Sequence, residues 1–116
     1  VVGNSDFGKS FEHFIFMELL AYRSYKQLDY NINFWRTKAG MEVDFILGQG
    51  EVAVEIKGTS RVDTKDLNSL LTFSEEFHPK EAFLVCQEKT ERVHKKARII
   101  PWQNFLEKLW AGRIIS

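Results

Sequence analysis

Charged side chains within residues 41–58 could support metal-dependent chemistry. The segment reads Met-Glu-Val-Asp-Phe-Ile-Leu-Gly-Gln-Gly-Glu-Val-Ala-Val-Glu-Ile-Lys-Gly. If its two halves pair as antiparallel strands, Asp44 lies opposite Glu55, with Cβ atoms about 5 Å apart. Carboxylates this close repel unless water screens them, one binds a proton, or a divalent cation lies between them. Lys57 projects to the same side as Glu55, about 7 Å further along the strand. A cation held by two carboxylates beside an ammonium group suits the hydrolysis of a phosphodiester.

The same charges have a simpler interpretation as a solvated strand face. Antiparallel sheets often keep one face in water, and charged residues are normal there. Glu42 opposite Lys57 would then be an ordinary cross-strand ion pair. The residues alone leave both interpretations open.

The hairpin itself is predicted by alternating apolar residues on either side of Gly48-Gln49-Gly50. A loop of two or of four residues gives the same register, in which opposed residue numbers sum to 99. A slip of one residue would turn one strand's apolar side chains to the wrong side. We therefore expect a charged face of Glu42, Asp44, Glu55 and Lys57, and an apolar face of Met41, Val43, Phe45, Leu47, Val52, Val54 and Ile56.

A helix over residues 7–27, capped near Ser5 or Asp6, is predicted before the hairpin. Its apolar face would carry Phe7, Phe11, Phe14, Ile15, Leu19 and Tyr22. Glu12 and Glu18 both have uncharged neighbours at helical spacing, and a carboxylate in such surroundings needs a partner, a metal or a proton. The pattern does not choose between them.

The remaining elements complete a mixed sheet flanked by helices. Residues 31–37 form a strand whose turn pairs Arg36 with Glu42. This pair either puts another cation beside the acidic face or, as the simpler and favoured interpretation, is an ordinary cross-strand salt bridge. A helix from Asp63 or Thr64 to Phe77 then turns Leu67, Leu70, Leu71 and Phe77 inward. Residues 80–86 form a buried strand, residues 97–100 a short last strand, and Pro101 opens a closing helix. The order α-β-β-β-α-β-(β)-α indicates an α/β (α+β) fold of three layers.

The composition restricts the class of protein. A chain of 116 residues with 44% apolar residues is expected to form one globular domain, residues 1–116. Sixteen basic and sixteen acidic residues cancel, which removes any global charge argument for nucleic-acid binding. The single Cys86 excludes an internal disulfide and is typical of a reducing cytoplasm. No membrane-spanning run or signal peptide is predicted, and the start at Val1 indicates a fragment of a longer protein.

Two further stretches have competing interpretations. Gly3 to Ser10 fits the phosphate-loop pattern G-x-x-x-x-G-K-S with Lys9. Phe7 would crowd the phosphates, however, and a helix N-terminus with small capping residues is the favoured interpretation. A basic stretch is diluted by Glu88 and Glu91, which favours a solvated loop over an arm that contacts phosphates. Its cations are Lys89, Arg92, Lys95, Lys96 and Arg98.

Several motifs together resemble the PD-(D/E)xK nuclease superfamily. They are Phe11-Glu12, Phe34-Trp35-Arg36-Thr37, Glu42-Val43-Asp44-Phe45 and Glu55-Ile56-Lys57-Gly58. The likeness is closest to the uncharacterised C-terminal domain of prokaryotic AAA-type ATPases, and it covers nearly the whole chain. Val43 stands where the superfamily name has proline.

The resemblance implies a restriction-endonuclease-like fold and a metal site. Asp44 and Glu55 would be ligands of Mg²⁺ or Mn²⁺, Glu12 the additional acidic residue, and Lys57 the catalytic lysine. It also implies an ATPase domain upstream in the same chain and nucleic acid, most simply DNA, as substrate. Weaker candidates for nucleic-acid contact are Arg36, Lys95, Lys96 and Arg98.

Three functions remain as hypotheses of different classes. The leading one is a metal-dependent nuclease domain. The second is a catalytically inactive module of the ATPase that binds nucleic acid or protein. The third is a fragment of a P-loop NTPase.

Overall fold

Six strands form one mixed sheet in the part of the chain that the structure describes. The computed structural model describes the backbone of residues 4–116 and the side chains of residues 7–116. The helices are α1 (Asn4–Tyr25), α2 (Asn68–Phe77) and α3 (Trp102–Trp110). The strands are β1 (Ile32–Arg36), β2 (Glu42–Leu47), β3 (Val52–Ile56), β4 (Glu81–Cys86), β5 (Arg92–His94) and β6 (Ala97–Pro101). They lie in the order β1-β2-β3-β4-β6-β5, with β3, β4 and β6 parallel and the other pairs antiparallel.

The helices cover both faces of this sheet, which confirms the predicted three-layer α/β arrangement. On one face, α1 and α3 enclose a core that includes Ile15, Leu19, Phe83 and Phe105. On the other face, α2 packs its buried residues against alternate side chains of the same strands. The central strand β4 is therefore buried from both sides, as its continuous apolar run predicts.

The predicted register of the β2–β3 hairpin is confirmed near its turn. Leu47 pairs with Val52, and Phe45 pairs with Val54. The loop has four residues, and Gly48 and Gly50 in it have φ of +72° and +81°, a backbone conformation that glycine adopts without strain.

The predicted apolar face of the hairpin is wrong at Val43. Between the pairs Asn33–Ile46 and Trp35–Val43, β1 advances by two residues while β2 advances by three. The extra residue is a β-bulge, which reverses the alternation of side chains. Val43 therefore packs on the α2 face, while Phe45 packs on the α1 face.

The first helix begins earlier than predicted. It starts at Asn4 rather than after a cap at Ser5 or Asp6, and it ends at Tyr25. Residues 4–10 are therefore helical, so they do not form the open loop that the P-loop hypothesis needs; Gly3 lies outside the described residues. Phe7 and Phe14, which we predicted on the apolar face of this helix, are only partly buried, with 40% and 41% of their surface exposed.

Two details of the C-terminal half also differ from the prediction. A 3-10 turn (Thr64–Leu67) precedes α2, and Phe73 is buried while Phe77 is about half exposed. The basic stretch contains the short strand β5, paired with β6, where we predicted a solvated loop.

None of the described helices is both long and apolar enough to cross a membrane.

Candidate active site

Asp44 and Glu55 meet at the open end of the β2–β3 hairpin. Beyond Phe45 and Val54, carboxylates take over the role of backbone partners. The backbone N–H of Asp44 donates to Oε1 of Glu55 at 3.2 Å, and the N–H of Ile56 donates to Oδ2 of Asp44 at 2.7 Å. The two side chains thus bridge the strands where the backbone ladder stops, which fixes their positions.

Helix α1 brings a third carboxyl group, that of Glu12, to Asp44. Burial is the main cause that raises the pKa of Glu12 to about 7. The charge of Asp44, a hydrogen bond with it and the charge of Glu42 raise this pKa further. Glu12 is therefore the acidic residue of α1 that joins the hairpin.

Glu55 is the most deeply placed member of the group, with 4% of its surface exposed. Burial, then the hydrogen bond and charge of Asp44, raise the pKa of Glu55 to about 9. The charge of Lys57 and the backbone N–H of Asp44 act in the opposite direction. Glu55 consequently holds a proton at neutral pH and can donate it to Asp44, while Lys57 lies near enough to stabilise the ionised form.

Glu18, the alternative to Glu12 in the sequence, has a structural role. Its Oε1 accepts a hydrogen bond from Nε1 of Trp110 at 3.1 Å, which links α1 to α3. The two glutamates have similar neighbours in sequence, but the fold places Glu18 beside a hydrogen-bond donor, Trp110, and Glu12 beside another carboxyl group, that of Asp44.

We call the side chains of Glu12, Asp44, Glu55 and Lys57 the EDEK cluster. Its three carboxyl groups supply the hard oxygen ligands that Mg²⁺ and Mn²⁺ prefer. They also carry excess negative charge that a cation would neutralise, so the donor set fits a divalent ion. Among the described residues, however, no three acidic, histidine or cysteine side chains already enclose a position for a metal ion. Asp44 and Glu55 each commit one oxygen to a backbone donor, so an ion would need their remaining oxygens.

A cleft of about 490 Å³ opens beside this cluster, between α1 and the β1–β2 pair. Its described lining comprises Lys9, Glu12, His13, Phe16, Phe34, Trp35, Arg36, Glu42, Val43, Asp44 and Phe45. Glu55 and Lys57 lie outside that lining, so a ligand in the cleft would meet Asp44 and Glu12 first.

Sequence reasoning missed several of these lining residues. Lys9 and Phe16 stand three before and four after Glu12, so helical spacing could have placed them beside it. His13 directly follows Glu12, and helical spacing gives no such signal for it. The sequence offered a weaker signal for Phe34, because strand alternation alone does not tell which side faces a site.

A family comparison matches residues 7–105, which include every member of the EDEK cluster. The matching family is described as a domain of unknown function, DUF4143. The chain belongs to the DUF4143 family. Searches of curated proteins and of solved structures returned no match.

The DUF4143 chain distributes its weaker nucleic-acid candidates over separate surfaces. Arg36 lines the cleft and forms the predicted ion pair with Glu42, at 3.2 Å, with both side chains more than half exposed. Lys95 and Lys96 line a different depression beside α2, of about 420 Å³. Arg98 pairs with Glu91 at 3.1 Å. Of the four, Arg36 is the one that the fold brings to the acidic site.

The segment that follows β3 in this DUF4143 domain is held in place on two sides. The N–H of Lys57 donates to the carbonyl of Val85, and the side-chain amide of Gln87 donates to the carbonyl of Gly58. Phe7 of α1 packs so closely on Gly58 that a Cβ there would lie 2.6 Å from the ring. This contact joins the start of α1, the helix that carries Glu12, to the residue that follows Lys57, just beyond β3.

Proposed function

We propose that this domain is a metal-dependent nuclease of the PD-(D/E)xK type, with a restriction-endonuclease-like fold. The observation that carries the proposal is the meeting of Glu12 from a helix with Asp44 and Glu55 at the open end of a hairpin. Lys57 lies two residues beyond Glu55, directly after the end of β3. The strand order, a meander followed by a parallel β-α-β connection, is consistent with that fold.

In this proposal Glu12, Asp44 and Glu55 hold Mg²⁺ or Mn²⁺. When bound, such an ion would polarise the phosphate group and lower the pKa of a bound water, so that hydroxide is available at neutral pH. Lys57 donates hydrogen bonds to the attacking water or to the phosphate oxygens as their negative charge grows. Glu55 gives up its proton when the cluster binds a cation, because ligands of metals must be ionised.

The cleft supports a substrate that approaches from the side of α1 and β1. Its lining exposes Glu12 and Asp44, while Lys9 and Arg36 supply positive charge near them. The substrate class in this proposal is a nucleic acid, DNA in the simplest case, since its phosphates require both a cation and positive side chains. From the resemblance, the domain works as the C-terminal module of an AAA-type ATPase.

Nicking of supercoiled plasmid, and of single-stranded circular DNA in parallel, tests this function directly. With Mg²⁺ or Mn²⁺, we expect the wild type to nick, and Asp44→Asn and Lys57→Ala to lose roughly 100-fold or more in rate. Glu18→Gln is the matched control on the same helix layer and should nick like the wild type. Equal rates in all four proteins would show that the EDEK cluster does not catalyse the reaction.

The backbone hydrogen bonds of Asp44 and Glu55 favour a second candidate, a binding module without catalysis. In that case the two carboxylates serve to close the open end of the hairpin, and the cleft binds nucleic acid or protein. An absence of calorimetric heat with millimolar Mn²⁺, together with retained binding of a partner in the cleft, would support the module.

A further inference from the structure

Phe34 places an aromatic ring in water at the rim of the cleft. The ring belongs to the edge strand β1 and is 66% exposed. Its neighbour Trp35 packs against Phe73 and Phe77, with ring centroids 5.4 and 6.3 Å away, on the α2 side. Alternation along the strand therefore turns Phe34 to the opposite side, where it lines the cleft with Lys9 of α1. A single exposed aromatic residue is ordinary, but this one borders the candidate active site.

A guanidinium group lies over this ring. The Cζ atom of Arg36 is 5.2 Å from the ring centroid of Phe34, within the range of a cation–π contact. Arg36 is two residues further along β1 and also bonds to Glu42. An aromatic face with a cation beside it is the arrangement with which proteins bind a nucleotide base and its phosphate together.

We propose that the cleft binds single-stranded nucleic acid, with Phe34 stacked on an unpaired base and Arg36 and Lys9 on the adjacent phosphates. This inference rests on the proposed function and names the substrate form for the same site. In a duplex the base faces are stacked on one another, so a protruding ring stacks more readily on a base of a single strand, where no double helix has to be unstacked first. A cleft of about 490 Å³ also has the size of sites that enclose one small molecule, such as a nucleotide unit, rather than a double helix.

The acidic residues of the cleft set a condition on this binding. Glu12, Glu42 and Asp44 also line the cleft, and ionised carboxylates among them repel phosphates when no cation is present. The strand is therefore held at the rim, by stacking and by the exposed cations, and its affinity falls with added salt.

The test is fluorescence anisotropy of the 116-residue chain with fluorescein-labelled oligo-dT, oligo-U and a DNA duplex of the same length, in EDTA. Omission of metal prevents cleavage and makes binding independent of the nuclease reaction. The variants are Phe34→Ala, Phe34→Tyr and, as a matched exposed aromatic outside the cleft, Tyr25→Ala, which is 75% exposed on α1.

We expect the wild type to bind a single strand more tightly than the duplex. Phe34→Ala should weaken single-strand binding roughly tenfold or more, while Phe34→Tyr retains it and Tyr25→Ala leaves it unchanged. A comparison of the affinities for oligo-dT and oligo-U shows whether the site prefers DNA or RNA.

Three results would overturn the inference: equal binding of duplex and single strand, no binding of either strand, or Phe34→Ala binding like the wild type. The outcome is separable from that of the cleavage assay. Cleavage of single-stranded DNA that persists in Phe34→Ala would remove the stacking role and leave the nuclease. Phe34-dependent binding without cleavage of single-stranded DNA would leave a single-strand binding module.

Discussion

The two ends of the β2–β3 hairpin are built from the same strands but held together differently. At the turn end, Leu47 pairs with Val52 through the backbone, and both side chains are buried in the α1 face. At the open end, Asp44 and Glu55 bridge the strands with their carboxyl groups, and Glu55 is protonated at neutral pH because its pKa is raised to about 9. Apolar burial at the turn end stabilises the folded state. At the open end, the carboxyl groups lie so close together that the folded state needs either a proton or a bound cation between them. Stability and chemistry are therefore separated along one hairpin, and substitutions at the two ends should have opposite consequences.

Removal of a side chain at the turn end should have the largest effect on stability. Leu47→Ala leaves a cavity in a fully buried site, and we expect it to lower the free energy of unfolding by about 2–5 kcal/mol. Urea denaturation measures this change. Mn²⁺ affinity of the remaining folded protein should stay as in the wild type, since Leu47 lies away from the carboxylates. A loss of affinity as large as that of Asp44→Asn would mean that the two ends are not separable.

At the open end, Glu55→Gln should stabilise the metal-free protein as the pH rises. The pKa of Glu55 is raised from 4.5 to about 9 in the folded state. Its contribution to stability is therefore fully present below pH 4.5 and is lost as the pH rises towards 9, because the unfolded chain ionises first. Glutamine keeps the hydrogen bonds without titrating. We expect Glu55→Gln to be more stable than wild type at pH 8 by up to about 5 kcal/mol, since each pH unit above 4.5 costs the wild type at most about 1.4 kcal/mol.

Thermal unfolding in EDTA at several pH values checks that prediction. The two proteins should unfold at similar temperatures near pH 4.5 and diverge above it. Parallel curves across pH 5–9 would contradict a buried, protonated Glu55.

A smaller effect is expected where α1 meets the end of β3. In Gly58→Ala the new methyl group would lie 2.6 Å from Cε2 of Phe7, so the ring must move. Because that ring is 40% exposed, it can shift outwards, and we expect a loss of only about 1 kcal/mol. A reduced Mn²⁺ affinity should accompany the loss, because Phe7 belongs to the helix that positions Glu12. Unchanged affinity in calorimetry would limit this contact to a role in stability.

Much of this arrangement could be predicted from the sequence because it depends on local rules. Alternation around Gly48-Gln49-Gly50 predicted the register of the hairpin, and opposed Asp44 and Glu55 followed from it. The reversal at Val43 could not be predicted, because the bulge depends on how β1 pairs with β2 rather than on the pattern of β2 itself. The choice between Glu12 and Glu18 was also beyond the residue pattern, since it is decided by Trp110, which lies ninety-two residues from Glu18. The short strand β5 was not predicted, because its three residues, Arg92–His94, are mostly charged or polar and do not show the apolar pattern of a strand.

Titration calorimetry with Mn²⁺ at pH 7 tests most directly whether the three carboxyl groups form a cation site. We expect the wild type to bind one ion and to release between one and two protons as it does so, because Glu55, with a pKa of about 9, must ionise to become a ligand, and Glu12, with a pKa of about 7, is about half protonated at this pH. Repeating the titration in buffers of different ionisation enthalpy gives the number of protons. Asp44→Asn should lose at least tenfold in affinity, and Glu18→Gln should bind like the wild type. Binding of equal strength in all three proteins, or binding by the wild type without proton release, would contradict the assignment of the site.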